Sequence, residues 1–307
     1  MQLIQIGKNG PRVPALGVGA WAWGDRVIWG YGRSYGREDV RAAFKASIDA
    51  GLTFFDTAEI YGTGRSEKLL GEFASEADAE IVIASKCFPY PWRWSAGSLR
   101  RALRRSLRRL RVPQIQLYQM HWPYAPVSIK RWMHAMADAV EAGLIKQVGV
   151  SNYGPKQTEF AYRTLEKRGL HLATNQIRYS LWDRGPERSG LMQLCKDLQV
   201  TVIAYSPLAQ GLLTNKYNPQ RPAPLGRGFG PQTLRAAKPL LDEMLRIGIA
   251  HANKTPAQVA LNWCVAKGTL PIPGAKNERQ AKENAGGIGW ELSEEEVARL
   301  DELSAKV

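Results

Sequence analysis

Gly51-Leu52-Thr53-Phe54-Phe55-Asp56-Thr57-Ala58-Glu59-Ile60-Tyr61-Gly62 carries the pattern that decides the fold. A short apolar run, Thr53–Thr57, ends in a carboxylate, and a tyrosine follows in the next loop. A continuous apolar run of this length reads as a parallel strand covered on both faces. Working outward, the same motif recurs at Leu16–Trp21, Glu80–Lys86, Gln114–His121, Ile145–Ser151, Leu172–Tyr179, Thr201–Ser206 and Thr269–Pro273. Amphipathic stretches such as Asp39–Ala50 and Ser128–Ala142 separate the runs. Eight strand–helix units with right-handed crossovers predict an α/β fold, a closed (β/α)8 TIM barrel, as one domain over residues 1–307.

The ends of the chain add to this plan. Gln2–Ile6, Lys8-Asn9-Gly10 and Arg12–Val13 read as an N-terminal β-hairpin across the bottom of the barrel, with Asn-Gly in its tight turn. Glu291–Ala305, with Ser293 before three glutamates, reads as an extra C-terminal helix opened by a capping box. Asn215–Gly230, rich in Pro, Gly and Arg, reads as a long loop over a site.

Composition narrows the class. Of 307 residues, 44% are hydrophobic and 23% charged, ordinary values for a globular chain. The three cysteines, Cys87, Cys195 and Cys264, are far apart and lack a CxxC spacing, so neither a disulfide framework nor a metal site is expected. MQLIQIGKNG has no secretory pattern, and no long apolar run follows, so the expectation is a cytoplasmic protein with no membrane partner. The net charge of +14 would suit any polyanion, from nucleic acid to a phosphorylated small molecule.

In such a barrel, chemistry sits at the C-terminal ends of the strands. Those ends present Asp56, Tyr61, Lys86, His121, Asn152 and Gln176. Singly, each has an ordinary explanation: a helix cap, a solvated lysine, a rim histidine. At matching ends of successive strands they make a proton-delivery site. A tyrosine is a weak acid at neutral pH, and a nearby ammonium is expected to lower its pKa. Asp56 would hold Lys86, and His121 would orient a carbonyl oxygen. A proton delivered to oxygen fits reduction of C=O with hydride from a cofactor.

The residues that carry this pattern also resemble a known family. The blocks are Gly51–Gly62, Glu67–Gly71, Ser85-Lys86, Leu117–Pro123, Val148–Asn152, Gln176 with Tyr179-Ser180, Ala204–Leu208, Gly211–Leu213 and Ile272–Ala275. In this order they resemble the aldo-keto reductases along nearly the whole chain. The resemblance implies a catalytic tetrad of Asp56, Tyr61, Lys86 and His121, with Tyr61 as general acid. It implies that Ser151, Asn152 and Gln176 bind a nicotinamide amide, that Tyr205 stacks on its ring, and that Ser206, Leu208 and Gly211 line the pyrophosphate. Gly274, Ala275, Lys276, Gln280, Glu283 and Asn284 would hold the adenosine end. The family's usual Lys-Ser-Val and later arginine are replaced here by Gly274-Ala275-Lys276 and Gln280. Lys276, with Arg279, is the cation expected to meet a 2′-phosphate, which favours NADPH. Leu16-Gly17-Val18-Gly19 is too short for the dinucleotide fingerprint of an open α/β sheet.

Trp21, Trp23, Trp29, Trp92 and Trp122 are the expected substrate residues, on the principle that aromatic walls with few polar groups receive small organic ligands. The Trp-rich Gly19–Gly24 stretch also resembles a subgroup that includes plant-type pyridoxal reductases, which implies pyridoxal as one substrate; aromatic aldehydes and other small aldehydes are equally expected. Ser98–Arg111 reads as an outer helix with a leucine stripe and a basic face; a polyanion-binding face is the competing reading. No nucleic-acid partner is expected, and the oligomeric state is expected to be a monomer or small homo-oligomer. The alternative to a catalyst is a non-catalytic NADPH-binding sensor subunit on the same fold.

Overall fold

The computed structural model describes residues 2–124, 127–218, 220–223 and 229–306. The chain begins with strands β1 (Leu3–Gln5) and β2 (Arg12–Pro14), paired antiparallel. The barrel follows as β3 (Val18–Gly19), α1 (Arg37–Asp49), β4 (Phe54–Asp56), α2 (Arg65–Ser75), β5 (Val82–Cys87), α3 (Ala96–Leu110), β6 (Ile115–Met120), α4 (Ile129–Glu141), β7 (Ile145–Ser151) and α5 (Pro155–Glu166). It continues with β8 (Leu172–Arg178), α6 (Gly185–Arg188), α7 (Leu191–Asp197), β9 (Thr201–Tyr205), α8 (Pro231–Ala250), α9 (Pro256–Ala266), β10 (Leu270–Pro271), α10 (Glu278–Ala285) and α11 (Glu294–Ser304).

Strands β3 to β10 lie side by side in chain order, every pair parallel. The first and last meet, because the Gly17 and Gly19 amides donate to the Pro271 and Pro273 carbonyls at 3.0 Å each. The seam requires glycine: a Cβ on Gly19 would lie 2.7 Å from the Ile272 carbonyl oxygen, and one on Gly17 would lie 2.6 Å from the Phe54 ring. The barrel expected from the sequence is therefore present, with β3 and β10 reduced to two residues each.

Side chains alternate along a strand, so every second residue faces the barrel interior. The lower interior is apolar. Phe54, Val82, Leu117, Ile203 and Leu270 cluster there with Ile6 and Val13 of the hairpin segment, all buried. The hairpin is fastened to the N-terminal end of β9 by the Gly7 amide, which donates to Thr201 Oγ1 at 2.7 Å. Its turn departs from expectation. The left-handed residue is Gly7, at φ 60°, rather than the Asn9-Gly10 pair. Gly7 packs so tightly on Ala173 that a Cβ would lie 2.7 Å from its Cα, which carries Ile6 into the barrel floor.

The outer helices follow the sequence pattern. In α11, Ser293 accepts from the Glu296 amide, and the Glu296 side chain accepts from the Ser293 amide, the expected capping box. In α3, Leu99, Leu103, Leu107 and Leu110 are buried, while Arg100, Arg101, Arg104, Arg105, Arg108 and Arg111 are exposed and, among the described residues, unpaired with any carboxylate. Only Arg109 turns inward, to Glu67. This is the geometry of an outer helix with a solvated basic face. Part of the expected loop Asn215–Gly230 lies outside the described residues; its start holds a bridge between Asn218 and Arg221. No helix among the described residues is long and apolar enough to cross a membrane.

Candidate active site

Above the apolar floor, the strand interiors turn polar. Register places Lys86 beside Gln119, Gln119 beside Gly149, and Gly149 beside Thr174, a row across four strands. Gly149 contributes no side chain, so Gln119 and Thr174 meet across it, with Thr174 Oγ1 donating to Gln119 Oε1 at 3.2 Å. A Cβ on Gly149 would lie 2.2 Å from Thr174 Oγ1 and 2.8 Å from Gln119 Cγ.

That row surrounds a buried ion pair. Asp56 is 2% exposed and Lys86 fully buried, with the ammonium bonded to Asp56 Oδ1 and to the Thr57 carbonyl at 2.9 Å. Gln176 Nε2 donates to Asp56 Oδ2 at 2.8 Å and Gln119 Nε2 at 3.3 Å. Lys86 Nζ also reaches the Tyr61 hydroxyl at 3.4 Å. His121 stands edge-on to the Tyr61 ring, with centroids 5.8 Å apart. The four expected catalytic residues are thus brought together, although two lie on strands, one directly follows a third strand and one lies in a loop.

Burial dominates the electrostatics. It pushes the Asp56 carboxyl up and the Lys86 ammonium down, while their mutual attraction opposes both shifts. It also pushes the Tyr61 phenol well above its ordinary value, with the Asp56 charge adding to the rise. The net direction at Tyr61 is upward, set by loss of solvation, with the Lys86 ammonium 3.4 Å away already paired with Asp56. His121 is pushed well below its ordinary value by burial and by the Lys86 charge. At neutral pH the site holds a neutral phenol and a neutral imidazole. Among the described residues, His121 Nδ1 is buried without a hydrogen-bond partner.

Beside the tetrad, Ser151 Oγ donates to the Gln176 carbonyl at 2.9 Å. Asn152, in a left-handed conformation at φ 63°, donates through Nδ2 to the His121 carbonyl at 3.1 Å and to Ser151 Oγ at 3.0 Å. Its Oδ1 accepts from the Tyr205 hydroxyl at 2.9 Å. One hydrogen-bond network therefore runs from Lys86 to Tyr205.

Trp21 and Trp29 form a wall over Tyr61: Trp29 meets Trp21 edge-on at 5.3 Å, and Trp21 lies 6.1 Å from the Tyr61 ring. Trp122 stacks on Tyr124 at 5.1 Å on another side of the mouth. Trp92, 66% exposed, lies on the outer rim. Trp23 departs from expectation. It is fully buried among Phe44, Phe55 and Phe73, and its indole N–H donates to the Ala275 carbonyl at 2.8 Å. That outward packing removes it from the pocket.

The chain matches the aldo/keto reductase family over residues 15–305. The chain belongs to this family. It is 39% identical to the chloroplastic pyridoxal reductase of Arabidopsis thaliana, covering 96% of this chain and 84% of that one. A crystal structure of the thermostable aldo-keto reductase Tm1743 with the inhibitor epalrestat superposes with a TM-score of 0.81 at 31% identity, covering 99% of this chain and all (100%) of that one. An aldo/keto reductase from Klebsiella pneumoniae, in complex with NADP and acetate, gives 0.78 at 30% identity, with coverage of 98% and 96%.

In this family member the remaining expected residues line the rim from β9 to α10. Ser206, at φ 52°, and Gly211, at φ 102°, shape the turn after β9, with Leu208 between them. Gly274 is exposed after β10, and Asn284 Nδ2 holds its carbonyl at 3.2 Å. Gln280 accepts from the Lys276 amide at 2.9 Å, and Glu283 accepts from Arg279 at 3.4 Å. Lys276 directly precedes Asn277, the N-cap of α10, and its ammonium donates to the Trp29 carbonyl at 3.2 Å and lies 4.8 Å from the centre of the Trp29 ring. A lysine beside a helix N-terminus suits a phosphate.

Sequence reasoning missed the supporting residues. Gln119 carries a readable signal: it is polar, lies in an apolar strand, and sits two residues before His121, hence on the same face. Glu59 and Arg93 carry none, being separated by a strand and a loop. They form a buried ion pair that ties the Tyr61 loop to the loop after β5, with Arg93 Nη2 donating to Glu59 Oε2 at 2.8 Å. Glu67 is likewise held by Ser85 and Arg109, each at 2.6 Å, directly behind Lys86.

Gly149→Ala is expected to break the Gln119–Thr174 contact and loosen Asp56. Overpacking of this kind costs about 1–3 kcal/mol. Chemical denaturation should show that loss, and turnover should fall roughly tenfold or more as the tetrad shifts.

Proposed function

We propose that this protein reduces the carbonyl group of small aldehydes and ketones, aromatic aldehydes such as pyridoxal among them, with NADPH as the hydride source. The observation that carries the reading is the buried Asp56–Lys86 pair with Tyr61 and His121 around one point at the barrel mouth. The cluster is complete within one chain, so a monomer suffices. The family relatives from Arabidopsis and Klebsiella, named for pyridoxal and NADP respectively, support the substrate and cofactor classes.

The residues fit the cofactor. Lys276 and the α10 N-terminus would hold the 2′-phosphate, Ser206, Leu208 and Gly211 the pyrophosphate, and Ser151, Asn152, Gln176 and Tyr205 the nicotinamide end. When bound, the nicotinamide supplies hydride. Tyr61 holds the proton: its raised pKa keeps the phenol protonated and ready to donate to the carbonyl oxygen. As the proton leaves, negative charge grows on the Tyr61 oxygen, and the Lys86 ammonium stabilises it. Asp56 fixes the ammonium, and Gln119 and Gln176 fix Asp56. The neutral His121 ring orients the carbonyl oxygen without adding a competing acid. Trp21, Trp29 and Trp122 exclude water from the reacting carbon and flank the body of the substrate.

Three outcomes follow from these roles. With NADPH and a panel of pyridoxal, nitrobenzaldehyde and methylglyoxal, absorbance of the reduced nicotinamide should fall with time. Tyr61→Phe and Lys86→Met should each reduce that rate at least about 100-fold while leaving the circular dichroism spectrum intact. Tight NADPH binding with no turnover of any substrate would instead indicate the sensor subunit.

The pH dependence has a definite sign. A general acid with a raised pKa is lost only as pH rises through the raised value, and an imidazole with a lowered pKa charges only as pH falls through the lowered one. The reduction rate should therefore stay flat from about pH 6.5 to about pH 10, the interval between the two reference values. A titration midpoint inside that interval contradicts the assignment.

Lys276→Met should raise the NADPH dissociation constant about tenfold or more and leave NADH nearly unchanged, because one charge-assisted contact to a phosphate is lost. Equal effects on both cofactors would remove Lys276 from the 2′-phosphate site.

A further inference from the structure

The loop after β5 reads Phe88-Pro89-Tyr90-Pro91-Trp92-Arg93-Trp94, with an aromatic at every second position and a proline after each of the first two. Proline fixes its own φ and suits the second position of a turn. The segment turns here, with the Tyr90 amide donating to the Phe88 carbonyl and the Arg93 amide to the Tyr90 carbonyl, each at 2.9 Å. The structure shows the result. Phe88 meets the catalytic His121 edge-on at 5.6 Å, Tyr90 packs on Phe88 at 4.8 Å, and Trp92 stacks on Tyr90 at 4.7 Å with the planes only 12° apart. The rings form a staircase that leaves the tetrad and ends in solvent.

Two features set this staircase apart from ordinary rim packing. First, it is rigid. Arg93 is 5% exposed, paired with Glu59, and its guanidinium lies 5.0 Å over the Tyr90 ring. Arg93 Nη1 donates to the Phe88 carbonyl at 2.7 Å, and the Phe88 amide donates to Glu59 Oε1 at 2.8 Å. Second, its outer step is costly. Trp92 is 66% exposed, so a large apolar ring is held at a fixed angle facing water. A preorganised aromatic surface binds a planar partner with little further loss of freedom.

We propose that Phe88, Tyr90 and Trp92 form a second substrate subsite for a distal aromatic ring, so that the preferred substrates are extended planar carbonyls carrying a second ring in line with the first. The inference rests on the carbonyl-reduction reading and names the substrate class for the same site. Tyr61 and His121 take the carbonyl, Trp21 and Trp122 flank the first ring, and the exposed face of Trp92, backed by Tyr90, receives the second.

The test compares kcat/KM for 4-phenylbenzaldehyde, 4-cyclohexylbenzaldehyde and benzaldehyde in the wild-type protein and in Trp92→Ala and Trp92→Phe. The cyclohexyl compound matches the phenyl one in apolar bulk but cannot stack. Stacking on an aromatic side chain supports roughly a tenfold preference. The wild type should favour the phenyl over the cyclohexyl compound by about that factor, through KM rather than kcat. Trp92→Ala should abolish the preference and Trp92→Phe should restore most of it. A ratio that is unchanged in Trp92→Ala, or equal for the two compounds in the wild type, overturns the subsite. Calorimetric titration with 4-phenylbenzoate and benzoate separates this failure from that of the underlying reading. If no aldehyde turns over, carbonyl reduction fails, and the subsite then stands or falls on whether Trp92→Ala weakens 4-phenylbenzoate selectively.

Discussion

A lysine ammonium with no solvent exposure is the constraint around which the rest of the site is arranged. Moving one charge out of water costs several kcal/mol even after relaxation, and a second buried charge repays that only when every remaining lone pair is satisfied. Asp56 accepts from Lys86, Gln176 and Gln119, and the Lys86 ammonium also bonds the Thr57 carbonyl. Gln119 is in turn held by Thr174, whose approach depends on the missing side chain at Gly149. Five strands, β4 to β8, therefore owe their inward-facing residues at this level to one ion pair. The floor beneath them, sealed by Ile6 and Val13, is fully apolar, so water has no polar route to the pair from below.

The same burial sets the protonation states of the site. An ammonium 3.4 Å from a phenol in water would favour the phenolate. Here the ammonium's charge is already matched by Asp56, and desolvation sets the direction at the phenol, upward. The outcome suits a donor that must arrive protonated and become charged only during transfer. Lys86 contributes at that moment, when the Tyr61 oxygen gains the charge that the ammonium faces, which is where preorganised electrostatics acts most strongly.

The barrel and its tetrad were readable because both depend on local periodicity. Each strand run has its own apolar pattern, and the carboxylate, lysine and histidine fall at the ends of those runs. The hairpin existed where the sequence placed it, but its turn did not follow Asn9-Gly10, because contact with Ala173 across the barrel bottom outweighed the local preference. The supporting pairs were hidden for a related reason. Glu59 with Arg93 and Glu67 with Arg109 join residues whose separation in sequence carries no period, and only the closed barrel brings them together. Gln119 is intermediate: its polarity in an apolar strand was visible, but its partner was not.

Tryptophan shows the limit most sharply, since Trp23 and Trp92 occupy loops of the same kind, directly after barrel strands. Trp23 finds three phenylalanine rings and a backbone carbonyl for its indole N–H, and it disappears into the helix layer. Trp92 finds one ring, Tyr90, and stays in solvent. Composition cannot separate the two cases, because both lie among aromatics. What separates them is the backbone that carries them. The turn that bears Trp23 folds back so that its ring points away from the barrel mouth. The segment before α3 turns at Pro91–Trp92, and its clamp on Glu59 through Arg93 and the Phe88 amide leaves Trp92 outside. An aromatic ring denied a burial site by a rigid backbone remains available to whatever flat molecule reaches it, and the adjacent steps of the staircase lead that molecule toward His121.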